Sequence, residues 1–287
     1  MDLCNPSEIK TLLESNGFHF SKALGQNFLI EGRVPLKIAE GAGIDETFGV
    51  LEIGPGIGAL TKRLSERAGK VVAVELDKSL PQLLAVSLAD CDNVEIISGD
   101  ILKTDIEALV KEKFAGLRLA VCANLPYNIT TPVLTKLMDT GLFETITVMI
   151  QREVARRIAS KPGSDDYGAF TVYANYHAVP EILFDVPPGC FMPAPKVTSS
   201  VIKFTKREAP PAEVKDEKMF FRVVRASFAQ RRKTLVNGLS AAFPLSKEVL
   251  VQVLEECGFD ARVRGETLGI PEFARIAEKI GEKLSAN

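Results

Sequence analysis

There is no tryptophan in the 287 residues of this chain, and only two histidines, His19 and His177. Two imidazoles leave no material for a three-histidine metal centre. The five cysteines (Cys4, Cys91, Cys122, Cys190, Cys257) are odd in number and scattered, with no C-x-x-C pair. That excludes a disulfide framework and a ribbon-type zinc site, and it suits a reducing compartment. No apolar run approaches the roughly 18 residues a membrane span requires. The opening Met1–Glu8 lacks the basic-then-apolar order of a secretory leader. It reads as a helix start, with Asn5 as cap, Pro6 in the first turn and Glu8 three residues on. A cytoplasmic protein is expected, with no metal and no membrane partner. An excess of one charge is missing too: 35 Lys+Arg against 37 Asp+Glu leave a net −2. This excludes a grossly basic nucleic-acid coater but not a local basic face.

What is present is ordinary globular material, 46% hydrophobic and 25% charged. The length exceeds the usual single domain, so one large and one small domain are expected. From about residue 49 short apolar runs alternate with helical segments. Strands are expected at 50–53, 70–75, 94–98, 117–123 and 145–150. That spacing implies right-handed βαβ units and a parallel sheet covered on both faces. After Pro180 the alternation stops. Runs at 181–186 and 200–204 flank a proline-rich loop with no helix between, which predicts an antiparallel hairpin closing the sheet. Glu208-Ala209-Pro210-Pro211-Ala212 reads as a linker. Beyond it the pattern is helical only, with a helix ending at Gly258 and a last one opened by Pro271. The division expected is 1–207 for an α/β domain and 208–287 for a small all-α domain.

Ligands of such sheets sit at the carboxyl ends of the strands. There the first strand runs into Glu52-Ile53-Gly54-Pro55-Gly56-Ile57-Gly58. Glycines let the backbone turn tightly against a ligand, and the following helix offers free N–H groups. The loop alone is ambiguous. Gly54, Gly56 and Ala59 fit a dinucleotide fingerprint, with Glu75 at the ribose-binding distance, so a nicotinamide enzyme is the first rival. Three features favour S-adenosylmethionine: Glu52 inside the strand, the additional Gly58, and Gly99-Asp100 ending the third strand. Glu75 would accept from the two ribose hydroxyls and Asp100 from the adenine amino group.

The fourth strand ends in Asn124-Leu125-Pro126-Tyr127. An exocyclic adenine N6 is a poor nucleophile because its lone pair is delocalised into the ring. The Asn124 side-chain oxygen and a backbone carbonyl in a proline-stiffened turn, read here as that of Pro126, can accept from the amino group and localise that pair. Tyr127 offers a flat face for the extruded base. The four residues resemble the Asn/Asp/Ser-Pro-Pro-aromatic motif of amino-methyltransferases, in the Asn-Leu/Ile-Pro-Tyr form of ribosomal RNA adenine dimethyltransferases. The resemblance extends along nearly the whole chain. Ser21-Lys22-Ala23-Leu24-Gly25-Gln26-Asn27-Phe28-Leu29 is similar to the family's N-terminal segment, in which Asn27 and Leu29 would help cover the cofactor. Phe191-Met192-Pro193-Ala194-Pro195-Lys196-Val197 is similar to a loop whose aromatic would sandwich the adenine against Tyr127. The tail from Arg264 to Phe273 resembles the small-subunit branch. Leu125 replaces the proline usual in DNA enzymes.

The resemblance implies a Rossmann-like, class I S-adenosylmethionine-dependent methyltransferase sheet with a small helical RNA-recognition domain. Its cofactor set would be Asn27, Leu29, Gly54, Glu75, Asp100 and Asn124, and its base-handling set Asn124, Pro126, Tyr127 and Phe191. The implied reaction is dimethylation of two adjacent adenines in the 3′-terminal hairpin loop of small-subunit rRNA, by a monomer acting on a pre-30S particle. Two rivals are a large-subunit methyltransferase of the macrolide-resistance type and a non-catalytic assembly factor on the same fold. Arg222, Arg225, Arg231, Arg232 and Lys233 fall in twelve residues without an acid, and Arg152, Arg156, Arg157 and Lys161 follow the fifth strand. Both runs are read as phosphate contacts, with Glu153 able to pair with Arg157.

Overall fold

The computed structural model describes residues 2–18, 25–230 and 232–285. Ser21–Leu24 of the expected cofactor-covering segment, His19, and Arg231 of the basic run lie outside the described residues. The chain forms two compact units. One comprises residues up to Ala155 together with Val179–Lys206, the other Arg156–Ala178 and Arg207 onwards. The segment 156–178, placed with the α/β domain by a division at 207, thus belongs to the second unit.

The first unit is built on a seven-stranded sheet. Its strands are β2 (Phe48–Ile53), β3 (Lys70–Glu75), β4 (Val94–Ser98), β5 (Arg118–Asn124), β6 (Thr145–Gln151), β7 (Ala178–Val186) and β9 (Ser199–Lys206). They lie in the order β4-β3-β2-β5-β6-β9-β7. The first five are parallel, whereas β9 runs antiparallel to β6, and β7 lies beside β9 at the edge of the sheet. Every residue of β2 is buried, as a central strand covered on both faces demands. The chain winds outward from β2 to β4, then returns to β5 on the other side. The gap between β2 and β5 is therefore the topological switch point where such sheets bind ligands. Helices α2 (Arg33–Ala42) and α3 (Ala59–Ser65) supply much of one covering layer, with Ile38, Ala39, Leu60 and Leu64 packed against Val50, Val71 and Ala120. Helix α1 (Pro6–Ser15) starts where expected, the Asn5 side chain accepting from the amides of Ser7 and Glu8. A two-stranded ribbon, β1 (Phe28–Leu29) against β8 (Phe191–Met192), was not evident from the sequence. Two-residue strands carry no periodicity, and this pairing joins segments about 160 residues apart.

The second unit is helical. Its core gathers Tyr167, Val172 and Tyr176 with Phe220, Leu239, Leu250, Phe273 and Ile280. Tyr167 flanks, and the other two belong to, α8 (Ala169–His177), which explains why that helix joins the unit. Three helices, α9 (Glu217–Ala229), α10 (Leu235–Ala242) and α12 (Ile270–Ser285), form most of the rest. Helix α10 approaches α9 so closely that a Cβ on Gly238 would lie 2.4 Å from the Ala226 carbonyl oxygen.

Candidate active site

A cleft enclosing about 200 Å³ opens at the carboxyl ends of β2, β3, β4 and β5. Its lining includes Asn27, Leu29, Gly54, Glu75, Asp100, Asn124, Pro126, Tyr127 and Phe191. Residues from six separate stretches of sequence thus meet in one place.

The floor is the loop after β2. Gly54, Gly56 and Gly58 all have positive φ, at 66°, 60° and 92°, which a side chain would strain. Gly58 then caps the N-terminus of α3. Glu75, at the end of β3, is 6% exposed and accepts from the Asp77 amide (2.8 Å) and more weakly from the Gly56 amide (3.4 Å). Burial pushes its carboxyl above the ordinary range, and those amide donors offset part of the shift. Asp100 closes a turn in which its Oδ1 accepts from the Leu102 amide at 3.0 Å. The Lys136 ammonium, from α6 (Thr130–Thr140), holds the Leu102 carbonyl at 2.8 Å and steadies that turn. Leu76, 52% exposed, adds an apolar wall beside Glu75. This set of acceptors, glycine backbone and apolar wall fits a nucleoside attached to a short polar chain.

At the end of β5 the side-chain amide of Asn124 donates to the Asn27 carbonyl at 3.2 Å. Pro126 begins a single 3-10 turn. Its carbonyl already accepts from the Ile129 amide (3.2 Å) and the Thr130 hydroxyl (3.4 Å). The turn therefore already engages this carbonyl, with Thr130 making the longer contact, so it is not the open acceptor expected of it. The half-buried Tyr127 is tethered through its hydroxyl to Ser199 Oγ at 2.9 Å. Phe191 is 3% exposed and packs with Leu29, Val34 and Ile38 while also facing the cleft. Among the described residues it makes no ring contact with Tyr127.

The basic residues divide by partner. Arg152 lies 3.9 Å from Asp185. Arg222 stacks over the Phe243 ring at 4.3 Å and donates to the Ala242 carbonyl, so it braces α9 against the end of α10. Arg156, Arg157, Arg225, Arg232 and Lys233 are exposed. Among the described residues no ion pair joins Glu153 to Arg157. The sequence reading missed Gln26, Asp77, Ser199 and Lys136, all polar residues whose partners lie 34 to 72 positions away.

A doubly wound sheet with an acid-led glycine loop and an Asn-Leu-Pro-Tyr turn at its switch point defines a Rossmann-like S-adenosylmethionine-dependent methyltransferase. The family model described as ribosomal RNA adenine dimethylase matches residues 17–277. The chain is 48% identical over 284 residues to a protein of Geobacillus thermodenitrificans named ribosomal RNA small subunit methyltransferase A, covering 97% of each. It is 48% identical over 286 residues to a protein of the same name from Lachnoclostridium phytofermentans, covering 98% of this chain and 99% of that one. Among solved structures, a dimethyladenosine transferase from Plasmodium falciparum superposes with a TM-score of 0.75 at 25% identity, covering 89% of this chain and 98% of that one. The 23S rRNA methyltransferase ErmE gives 0.67 at 25% identity, with 89% and 100% covered. The chain belongs to the ribosomal RNA adenine dimethylase family.

Proposed function

We propose that this enzyme dimethylates N6 of two adjacent adenines in the 3′-terminal hairpin loop of small-subunit rRNA. It acts as a monomer, in the cytoplasm, on a pre-30S particle. The observation that carries the reading is the meeting of Asn124 with Glu75, Asp100 and the glycine loop in one cleft. The relatives named for the small subunit support that target over the large one.

In this reading Asn27, Leu29, Gly54, Glu75, Asp100 and Asn124 hold S-adenosylmethionine, which supplies an electrophilic sulfonium methyl. Glu75 takes the ribose hydroxyls and Asp100 the adenine amino group. The Asn124 oxygen accepts from the target N6. Because the Pro126 carbonyl is engaged by Ile129 and Thr130, the second acceptor is the Leu125 carbonyl, which Pro126 holds in place. Two acceptors placed before the reaction favour a pyramidal nitrogen and the positive charge that develops on it. Tyr127 stacks on the base, and Phe191 supplies the apolar wall of the pocket. The 1–207 portion, less the segment 156–178, carries catalysis, and the helical residues beyond 208, with the exposed basic residues of both runs, grip rRNA.

Mass spectrometry of rRNA adenines, after incubating purified protein and cofactor with each ribosomal subunit, tests the assignment. Dimethyladenine is expected in the small subunit alone. Labelling of the large subunit instead, or of neither, overturns it.

A further inference from the structure

Residues 25–27 touch the cleft from above at several points. A Cβ on Gly25 would lie 3.7 Å from Pro126 Cβ, so this residue packs over the Asn-Leu-Pro-Tyr turn. Gln26 Nε2 donates to Asp77 Oδ2 at 2.6 Å, across to the loop that follows Glu75. Asp77 is itself held, its other oxygen accepting from the Ser79 amide and hydroxyl and its amide donating to Glu75. Asn27 presents its main-chain carbonyl to the Asn124 side chain. Downstream, Phe28 and Leu29 pair with β8, and the Phe28 ring lies 3.1 Å from where a Cβ on Gly56 would stand.

We propose that Gln26 is a positioning residue for methyl transfer: latched to Asp77, it holds the Asn27 carbonyl that fixes which way the Asn124 amide faces. The inference rests on the acceptor role assigned above to Asn124. A primary amide has one accepting and one donating end, and a backbone carbonyl can only accept. The Asn27 carbonyl therefore takes the Nδ2 end and turns Oδ1 the other way. A rotation of half a turn about the last side-chain bond would present NH₂ to the NH₂ of the target base, a donor facing a donor. The ends of an amide are nearly equal in size, so sterics alone do not forbid that rotation. The Asn27 carbonyl does, provided that it stays in place. The Gln26–Asp77 bond anchors the residue just before it to the loop that carries the ribose-binding carboxylate.

The test compares Gln26→Leu with the wild-type enzyme in single-turnover methylation of small subunits, at saturating cofactor and rRNA. Cofactor affinity is measured in parallel by equilibrium binding. Losing one hydrogen bond of this kind should lower the saturated rate about three- to tenfold. Gln26→Lys, which keeps a donor within reach of Asp77, should restore most of the rate. In an Asn124→Ala background, read by its residual rate, Gln26→Leu should cost nothing further. A rate unchanged at saturation, with only cofactor affinity altered, would show that the segment merely covers the cofactor and would overturn the proposal. An equal loss in the Asn124→Ala background would also overturn it, because the effect would not pass through that amide. Failure of the underlying reading looks different: Asn124→Ala alone would then turn over at the wild-type rate. To separate misfolding from misplacement, the Asn124 Nδ2 proton resonances are compared in selectively labelled protein. They should move toward free-amide positions in Gln26→Leu while asparagine signals remote from the cleft stay put; if they do not move, the proposal fails.

Discussion

Glu75 is held by two backbone amides, whereas Glu52, one strand over and 1% exposed, leaves its Oε2 without a hydrogen-bond partner among the described residues. Two acids bordering one cleft thus have opposite surroundings. Glu75 is oriented by Gly56 and Asp77 and keeps its remaining acceptor capacity for a ligand. Glu52 is simply desolvated.

For Glu75 the consequence is in binding. Glu75→Ala removes both acceptors expected to meet the ribose and should weaken S-adenosylmethionine binding about 10- to 100-fold, from the loss of charge-assisted hydrogen bonds. Isothermal titration reads this directly. A thermal-shift assay should show that a given cofactor concentration raises the melting temperature of the variant less than that of the wild type. Unchanged affinity would remove Glu75 from the cofactor set.

For Glu52 the consequence is in stability. Burial pushes its carboxyl up to about 8, with the nearby Thr61 hydroxyl offsetting part of the shift, although Thr61 Oγ1 makes no well-formed hydrogen bond itself. The folded state keeps this proton where the unfolded chain, with an ordinary glutamate, has lost it. The contribution is therefore fully present below about 4.5, declines as the pH rises, and is gone above about 8. Glu52→Gln, a neutral isostere, should flatten that decline and raise the melting temperature more at about pH 8.5, above the window, than at about pH 5, near its lower end. Parallel pH profiles for the two proteins would sink the account.

The acceptor assignment makes Asn124→Ala the severest single change in the cleft. Removing one preorganised acceptor should cost about 10²- to 10³-fold in methyl transfer. Because Asn124 is one of several expected cofactor contacts, cofactor affinity should fall far less than the rate. Rapid-quench transfer assays alongside equilibrium binding separate the two quantities.

Tyr127 offers a graded test. Tyr127→Phe keeps the ring and loses the bond to Ser199, so it should retain most of the transfer rate. Tyr127→Ala also loses the stacking face, a contact worth about 1–3 kcal/mol per base, and should fall about 5- to 150-fold further. Equal loss in the two variants would mean that the hydroxyl tether, and not the ring, is what matters.

On the second unit, Arg232 and Lys233 are exposed and lie beside a helix end, whereas Arg222 is occupied by Phe243 and the Ala242 carbonyl. Arg232→Glu with Lys233→Glu should weaken rRNA binding and reduce its salt dependence by about one contact's worth per residue. Arg222→Ala should instead lower the melting temperature, because it removes a brace between α9 and the end of α10. Filter binding across a salt series and calorimetry distinguish these outcomes.

The sequence by itself determined the parallel strands, the glycine loop and the turn at Asn124. Each is a local matter: apolar runs of strand length, residues tolerant of positive φ, a proline that stiffens a turn. It also pointed to Glu75 and Asp100, because two acids at successive strand ends beside a glycine loop are placed to meet a ligand's polar groups. Tertiary structure alone decided the rest. The β1–β8 ribbon, the Gln26–Asp77 bond, the Tyr127–Ser199 tether and the placement of 156–178 in the helical unit all join positions far apart in the chain, and pairwise polar contacts leave no periodicity to read. Whether a carbonyl is open or already spent was equally beyond reach, since the Pro126 oxygen is consumed by a turn whose closure depends on the φ of its neighbours. The same limit applied to charge: Arg222 and Arg232 are the same residue type in one run, and only packing against Phe243 makes the first a structural brace and leaves the second facing solvent.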